Sequence, residues 1–244
     1  EVKDFAYQIR YTSTDGNIVT PNSNATFGAN IVSNTYENGV GIIEFDGPVT
    51  TIGYNRIGWE ETGAFSHCET LKSIEIPNTV TNIDAYAFYQ CTELQDVTLP
   101  DKITAIKEFT FTNNSLESVV IPDGVTSIAA RAFLYNMKLT SVTLLKELVT
   151  IGESAFAWCN ALPSVTIPEK VTSIGRGAFI NDVGEGESAL TTVYCKAVNP
   201  PTIDAESQIF VSSSTITIYV PANSLSAYTA QWGNLTNSFC YTIE

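Results

Sequence analysis

The chain has 244 residues, with 12 basic against 26 acidic side chains, so its formal net charge at pH 7 is −14. A polyanion of this size is repelled by nucleic acid phosphates and by anionic membrane surfaces, which excludes both as partners. Hydrophobic residues make up 44% of the chain and charged residues 16%, which excludes disorder and allows a large core. No apolar run is long enough to cross a bilayer and none forms a leader at the start, so we expect a processed chain that does not insert into membranes.

The first 39 residues have their own pattern. Tyr7–Tyr11 alternates in polarity, Asp15-Gly16 is a turn signal, and Ile18–Pro21 is predicted to be the return strand of a hairpin. Asn22–Asn34 is rich in Asn and Ser and is predicted to be a loop. We therefore predict a β-hairpin cap at residues 1–39, which would cover the apolar end and the sheet edge of the segment that follows. A separate binding module is the alternative.

An internal repeat occupies most of the chain after this segment. Its clearest copy, Leu71–Cys91, joins an alternating apolar stretch, a proline, a Val-x-x-Ile step and an Ala-Phe pair. The leading leucines recur after 23, 22, 23 and 23 residues, at Leu71, Leu94, Leu116, Leu139 and Leu162. Val40–Phe65 and Leu190–Cys195 keep the pattern around insertions, and Ile218–Val220 resembles one last strand. We predict about eight rungs over residues 40–220, and a C-terminal cap at residues 221–244.

The spacing within one copy predicts its shape. Period two points Ile74 and Ile76 into the core and Ser73 and Glu75 toward solvent. Pro77 cannot donate to a sheet ladder, so the strand ends there. One copy cannot bury its apolar face alone, so neighbouring copies must stack, each strand beside the next and each phenyl ring on the next. The prediction is a single-domain solenoid, mainly β, with a parallel sheet and short turns or helical segments.

The string Leu-x-Ser-Ile-x-Ile-Pro-x-x-Val-Thr-x-Ile-x-x-x-Ala-Phe-x-x-Cys at Leu71–Cys91 resembles the 23-residue leucine-rich repeat of the BspA-like (Treponema pallidum-type) bacterial class. The resemblance implies a leucine-rich repeat solenoid coiled as a right-handed superhelix. It further implies a secreted or cell-surface protein of the kind common in gut and oral Bacteroidetes, with adhesion to host or bacterial proteins as the usual activity. Thr110 and Leu145 depart from the motif, which contains no catalytic residue.

The outward positions of the predicted sheet form the candidate binding face, where small hydroxyl side chains dominate. This face is made of Ser73, Glu75, Asp96, Thr98, Ser118, Ser141, Thr143, Ser164, Thr166, Thr192 and Tyr194. Such a row can present a flat surface to a partner, and it also suits a strand face that is merely solvated. Trp59 and Trp158 are candidate aromatic anchors.

No catalytic, cofactor or metal site is predicted. Cys68, Cys91 and Cys159 share a repeat position with Asn136, which predicts bonding to turn backbone, although a bridge between Cys68 and Cys91 stays open. No CxxC or Cys/His cluster indicates zinc, and the role of Cys240 is open. His67, the only histidine, is predicted to lie in a surface turn. The acids at Glu60-Glu61 and at Glu185 and Glu187 are predicted to be solvated loops, with weak calcium binding as the alternative.

The patterns and the family resemblance together lead us to expect a non-enzymatic, monomeric protein, and the resemblance implies that it is exported and binds a host or bacterial surface protein. We expect it to be held at the outer membrane through a segment outside this sequence. Glycan binding is the first alternative and would need exposed aromatic rings along a groove. A structural spacer within a larger surface assembly is the second, and a uniformly polar sheet face would favour it.

Overall fold

The computed structural model describes residues 5–55, 62–181, 189–203, 209–211, 216–233 and 241–243. Five features considered above lie outside these ranges: Trp59, the Glu60-Glu61 pair, Glu185, Glu187 and Cys240.

The repeats stack as predicted, and their first strands form one long parallel column, the main sheet. Its strands are β6 (Leu71–Glu75), β8 (Asp96–Thr98), β10 (Ser118–Val120), β12 (Ser141–Thr143), β14 (Ser164–Ile167), β17 (Thr192–Cys195), β20 (Ile216–Tyr219) and β21 (Tyr241–Ile243). The pairing is parallel and in step with the repeat, so that Ser73 lies opposite Asp96 and Ser118 opposite Ser141. Ile74 and Ile76 are buried while Glu75 is exposed, which confirms the predicted alternation.

A second column of short strands, two to four residues each, runs along another side of the solenoid. Its parallel members are β5 (Thr51–Tyr54), β7 (Asn82–Ile83), β9 (Ala105–Ile106), β11 (Ser127–Ile128), β13 (Thr150–Ile151), β15 (Ser173–Ile174) and β18 (Thr202–Ile203). β5 pairs with β7, and β9 through β18 form a continuous ladder. The isoleucine of the Val-x-x-Ile step points into the core. It is at most 2% exposed in each of β7, β9, β11, β13 and β15.

The Ala-Phe pairs form the third side and fill the interior. Seven phenyl rings stack face to face with centroids 5.1–5.6 Å apart: Phe65, Phe88, Phe111, Phe133, Phe156, Phe179 and Phe210. The last rungs add a parallel pair here, β16 (Phe179–Ile180) with β19 (Phe210–Val211). Phe27 packs edge-on against one end of the column, and Trp232 packs at a tilt against the other. Offset or edge-on aromatic pairs stabilise a fold beyond the area they bury, so this column ties each rung to the next.

The main sheet is interrupted twice. No ladder joins β8 to β10 or β12 to β14, so β10 and β12 pair only with each other among the described strands. The first break coincides with the repeat that is one residue shorter, and there the Glu117 N–H still donates to the Gln95 carbonyl. At the second break Pro163 takes the place of Thr140 and Thr191, whose N–H groups donate to the preceding rung. A proline has no N–H to donate, so the bond is lost there.

The predicted N-terminal hairpin is wrong in its pairing. The strand is β1 (Gln8–Ser13), which follows a 3₁₀ turn at Phe5–Tyr7, and residues 18–21 form no strand. Both edges of β1 are already taken, by β4 (Val40–Phe45) and by β6, each antiparallel. Residues 18–21 turn inward instead, because Val19 is buried and its N–H donates to the Tyr11 hydroxyl. The turn at Asp15-Gly16 does form, with Gly16 at φ +70°.

The hairpin of this region lies later in the chain and changes the first rung. It joins β3 (Ile31–Glu37) to β4 through Asn38 and Gly39, both at positive φ, as the tightest hairpin turns require. The predicted loop at Asn22–Asn34 therefore contains β2 (Ala25–Thr26), antiparallel to β5, and the start of β3. The apolar spacing of Val40–Phe45 predicts the strand of a first rung. In the structure this strand, β4, lies between β1 and β3 rather than in the parallel column.

The C-terminal segment places a helix and a strand beside the last rungs. Helix α1 (Leu225–Trp232) buries Tyr228 and Trp232, whose side chains donate to the carbonyls of Ala197 and Pro201. β20, which was predicted from Ile218–Val220, pairs with β17 and is followed in the sheet by β21. The boundaries at residues 39 and 220, the capping role of both ends and the right-handed coiling stay predictions.

Candidate functional site: the polar face of the main sheet

The candidate residues lie together on the outward face of the main sheet, in two columns. Across the strands the register aligns Ser164 with Thr192, and Thr166 with Tyr194. Ser73 and Thr192 are half-buried and the other nine are exposed: Glu75, Asp96, Thr98, Ser118, Ser141, Thr143, Ser164, Thr166 and Tyr194. The structure extends this face past β6 onto β1, where the Thr12 and Ser73 hydroxyls lie 2.6 Å apart.

Most polar groups of this face have no side-chain partner within the part of the chain that the structure describes. Eight of the candidate residues make no side-chain hydrogen bond or ion pair there: Glu75, Asp96, Thr98, Ser118, Ser141, Thr143, Ser164 and Thr166. Their donors and acceptors are therefore free to bond water or a partner. Because backbone ladders and buried isoleucines hold the strands, a partner would meet a largely preformed surface.

Two adjoining hollows deepen the face at its N-terminal half. The first, about 270 Å³, lies between β1 and β8 and includes Arg10, Val40 and Glu75 in its lining. The second, about 410 Å³, spans the break between β8 and β10 and reaches Asp101, Asp123 and Leu145. Asp96 and Thr98 line both hollows, so the two lie side by side, and together we call them the sheet groove.

A pair of tyrosines occupies the other end of the face. The rings of Tyr194 and Tyr219 stack with centroids 5.3 Å apart at 16°, and the two residues are 39% and 41% exposed. The Lys196 ammonium lies 5.8 Å from the centroid of Tyr194. The face is therefore polar in its middle and aromatic near its C-terminal end, and the sequence interpretation did not include Tyr219.

A second aromatic surface lies on the turn side and was not predicted. Tyr86 and Phe109 stack at 4.7 Å, Tyr89 packs edge-on against Tyr86, and the Arg131 guanidinium lies 5.5 Å from the Phe109 ring. Tyr86, Phe109 and Arg131 all have φ between 56° and 63°, a region that favours glycine or asparagine. Residue propensity argues against bulky side chains at such positions, and for this reason the sequence analysis does not predict this surface. Trp158, a predicted anchor, belongs to the same side and packs against Tyr135 rather than standing free.

Cys91 and Cys159 act as structural residues of the turns. The Cys91 thiol donates to the Phe65 carbonyl at 3.0 Å, and Cys159 to that of Phe133 at 3.4 Å. Asn136 fills the same position with two bonds, to the carbonyls of Phe111 and Phe133, which confirms the predicted equivalence of Asn and Cys. Burial raises the pKa of the Cys159 thiol to about 12 and that of Cys91 well above its usual range. These thiols are therefore protonated and poorly nucleophilic at neutral pH.

The remaining titratable groups do not assemble into a reactive centre within the described ranges. Cys68 and Cys91 are free thiols, so the bridge left open by the sequence is not formed. His67 lies in an exposed turn at φ 61° and packs edge-on against Tyr89, as its predicted place implies. Across the described residues, no three Asp, Glu, His or Cys side chains gather where they could hold a metal ion. In the same ranges, no helix is long and apolar enough to span a bilayer.

Stacked parallel strands, a phenyl column and an outward polar face define a solenoid of leucine-rich repeats. Residues 61–184, half of the chain, match six copies of the BspA type leucine-rich repeat region. The chain belongs to this family, which confirms the resemblance seen in Leu71–Cys91.

Solved structures of bacterial leucine-rich repeat proteins are similar to this chain. A leucine-rich repeat protein from Bacteroides ovatus is 21% identical over 80% of this chain and 51% of its own, with a TM-score of 0.45. A leucine-rich cell surface protein from Faecalibacterium prausnitzii is 25% identical over 74% and 61%, with a TM-score of 0.37. The leucine-rich repeat protein of T. pallidum is 20% identical over 81% and 80%, with a TM-score of 0.43. The chain thus spans about half the length of the Bacteroides ovatus protein. Among curated proteins none matches significantly.

Proposed function

We propose that this chain is a non-enzymatic adhesion module, exported to the cell surface, whose main-sheet face binds another protein. The observation that carries the proposal is the row of eight exposed polar side chains without partners among the described residues, fixed on a rigid parallel sheet. Membership of the BspA type family supports it, because bacterial leucine-rich repeats of this kind are protein-interaction modules. The partner would be a host or bacterial surface protein and the chain itself a monomer.

Binding to immobilised extracellular-matrix and bacterial surface proteins, measured by surface plasmon resonance, tests the proposal. Thr143→Arg and Thr166→Arg each place a long, charged side chain on the face. Each should lower the affinity for the partner at least about tenfold, because a bulky charge prevents close contact across the interface. Thr104→Arg is the matched control, since Thr104 is exposed but precedes β9 on a different side of the solenoid. Equal binding by all three variants would reject the part of the sheet face formed by β12 and β14 as the interface.

Glycan binding is a second candidate because of the Tyr194–Tyr219 pair. An aromatic ring offers an apolar surface with a polar hydroxyl at its tip, and the neighbouring Lys196 adds a donor. A glycan array separates the two functions: binding to sugars that is lost in Tyr194→Ala and kept in Thr143→Arg would favour the glycan. If neither proteins nor glycans bind, the chain is a spacer.

Export is a separate part of the proposal. Fractionation of the source cells should find the protein in the surface or secreted fraction, held through a segment outside this sequence. Recovery in the cytoplasm would contradict it.

A further inference from the structure

We propose that the sheet groove binds an extended protein segment in which basic side chains alternate with apolar ones. The inference rests on the proposed function, because it names the chemistry of the partner for the same face.

The floor of the groove is apolar where the rest of the face is not. Val120 points outward and is 60% exposed, and Leu145 stands beside it at the place where other repeats have a proline. Val97 and Leu99, which line the same hollow, are 7% and 8% exposed, whereas Ile74 and Ile76 at the equivalent positions of the preceding repeat are 2% and 1% exposed. The break between β8 and β10 thus leaves core side chains within reach of a partner's apolar group, whose burial there would favour binding.

The walls of the groove are acidic. Glu75, Asp96, Asp101 and Asp123 line the two hollows, and among the described residues Arg10 is the only basic one in either lining. Glu75 and Asp96 have no ion pair within the described ranges, and Asp123 has only a loose one, 3.8 Å from the exposed Lys146. Lysine or arginine side chains of a partner would meet complementary charge there. The acidic net charge of the whole chain adds to this electrostatic attraction.

The length and direction of the groove favour an extended occupant. It crosses β1, β6, β8 and β10 and reaches the turn after β12, which at a strand spacing of about 4.8 Å amounts to about 19 Å. An extended chain rises about 3.3 Å per residue, so about six residues fill that length. In an extended segment successive side chains point to opposite sides, so the apolar groups can face the floor while the basic groups lie on the outer side. The long flexible stems of lysine and arginine allow their charged ends to bend back to the acidic walls.

Three synthetic heptapeptides test the chemistry by isothermal titration calorimetry with the whole chain: Lys-Val-Lys-Leu-Lys-Val-Lys, the same peptide with Glu for Lys, and the same peptide with Ser for Val and Leu. We expect the first to bind at least about tenfold more tightly than either of the others. Its affinity should fall as salt rises from 0.05 to 0.3 M, because exposed charges are screened.

Single substitutions locate the site. Asp96→Asn should lower the affinity for the first peptide about fivefold. Glu169→Gln removes the same charge at an exposed turn outside the groove, and its affinity for that peptide should stay within about twofold of the parent chain. Val120→Ser should lower the affinity for the first peptide about fivefold and leave the affinity for the serine peptide unchanged. Circular dichroism before each titration confirms that the variants are folded.

Each outcome bears on one proposal. Equal affinity for the three peptides, or equal affinity of Asp96→Asn and Glu169→Gln, overturns the groove inference even if a surface protein binds the sheet face. A failure of every surface protein to bind, together with selective peptide binding that Asp96→Asn weakens, upholds the groove and overturns adhesion.

Discussion

Phe133 is the ring whose removal tests the stacked core most directly. It is fully buried between Phe111 and Phe156, with ring centroids 5.3 and 5.1 Å away and nearly parallel planes. Truncation of a buried phenylalanine to alanine costs about 3–5 kcal/mol, and each aromatic pair contributes about 0.5–1.5 kcal/mol beyond its buried area. Because Phe133 loses a partner on both faces and the ladders above and below limit collapse, we expect Phe133→Ala to cost about 5 kcal/mol of unfolding free energy.

Urea unfolding followed by tryptophan fluorescence and far-UV circular dichroism measures this loss. With a urea dependence of about 3 kcal/mol per molar for a chain of this size, the midpoint should fall by about 1.7 M. Tyr135→Ala is the matched control on the same rung, because Tyr135 is 38% exposed and has one ring neighbour, Trp158. It should cost about 1 kcal/mol. A loss below about 1 kcal/mol for Phe133→Ala would refute the stacked core.

Two further predictions concern the N-terminal segment and the buried thiols. Gly41→Ala should destabilise the chain by about 3 kcal/mol in the same assay, because a Cβ there overlaps the ring of buried Tyr11. In contrast, Gly47→Ala makes only ordinary contact with Ala29 and should change stability by less than about 1 kcal/mol; similar losses would contradict the packing. The second prediction concerns stability at alkaline pH. Burial raises the pKa of the Cys159 thiol from 9.0 to about 12, so above pH 9 the unfolded chain releases a proton that the folded chain keeps. The stability contributed by this thiol is therefore complete below pH 9 and falls by about 1.4 kcal/mol per pH unit toward pH 12. Urea titrations from pH 8 to 11 should give Cys159→Ala a shallower alkaline decline than the parent chain, and equal slopes would exclude the effect.

The repeats could be predicted because each rung specifies its own geometry locally. Ile74, Pro77, Ile83 and Phe88 are spaced so that only one stacked arrangement buries the apolar side chains, and the structure has that arrangement. The outward positions follow from the same period, so the candidate face could be placed residue by residue.

The pairing of the N-terminal strands could not be predicted, because it depends on which strand occupies the free edge of β6 in the folded chain. Val40–Phe45 has the apolar spacing of a rung, and nothing within it distinguishes parallel from antiparallel pairing. The decision comes from β1, which occupies the edge of β6 that a first rung would have used. Pro163 and the short repeat that begins at Leu94 are visible in the sequence, but their effect on the sheet emerges only when neighbouring rungs are placed side by side.

The two interruptions of the main sheet have a mechanical consequence whenever the solenoid is stretched along its axis. Pulling along the solenoid axis is resisted by hydrogen bonds in series, so the extension concentrates where a ladder is missing. The pair β10–β12 is bounded on both sides by such places and is held to its neighbours mainly by the second column and the phenyl stack. Under tension the main sheet should therefore open first at these two seams, on either side of the pair β10–β12.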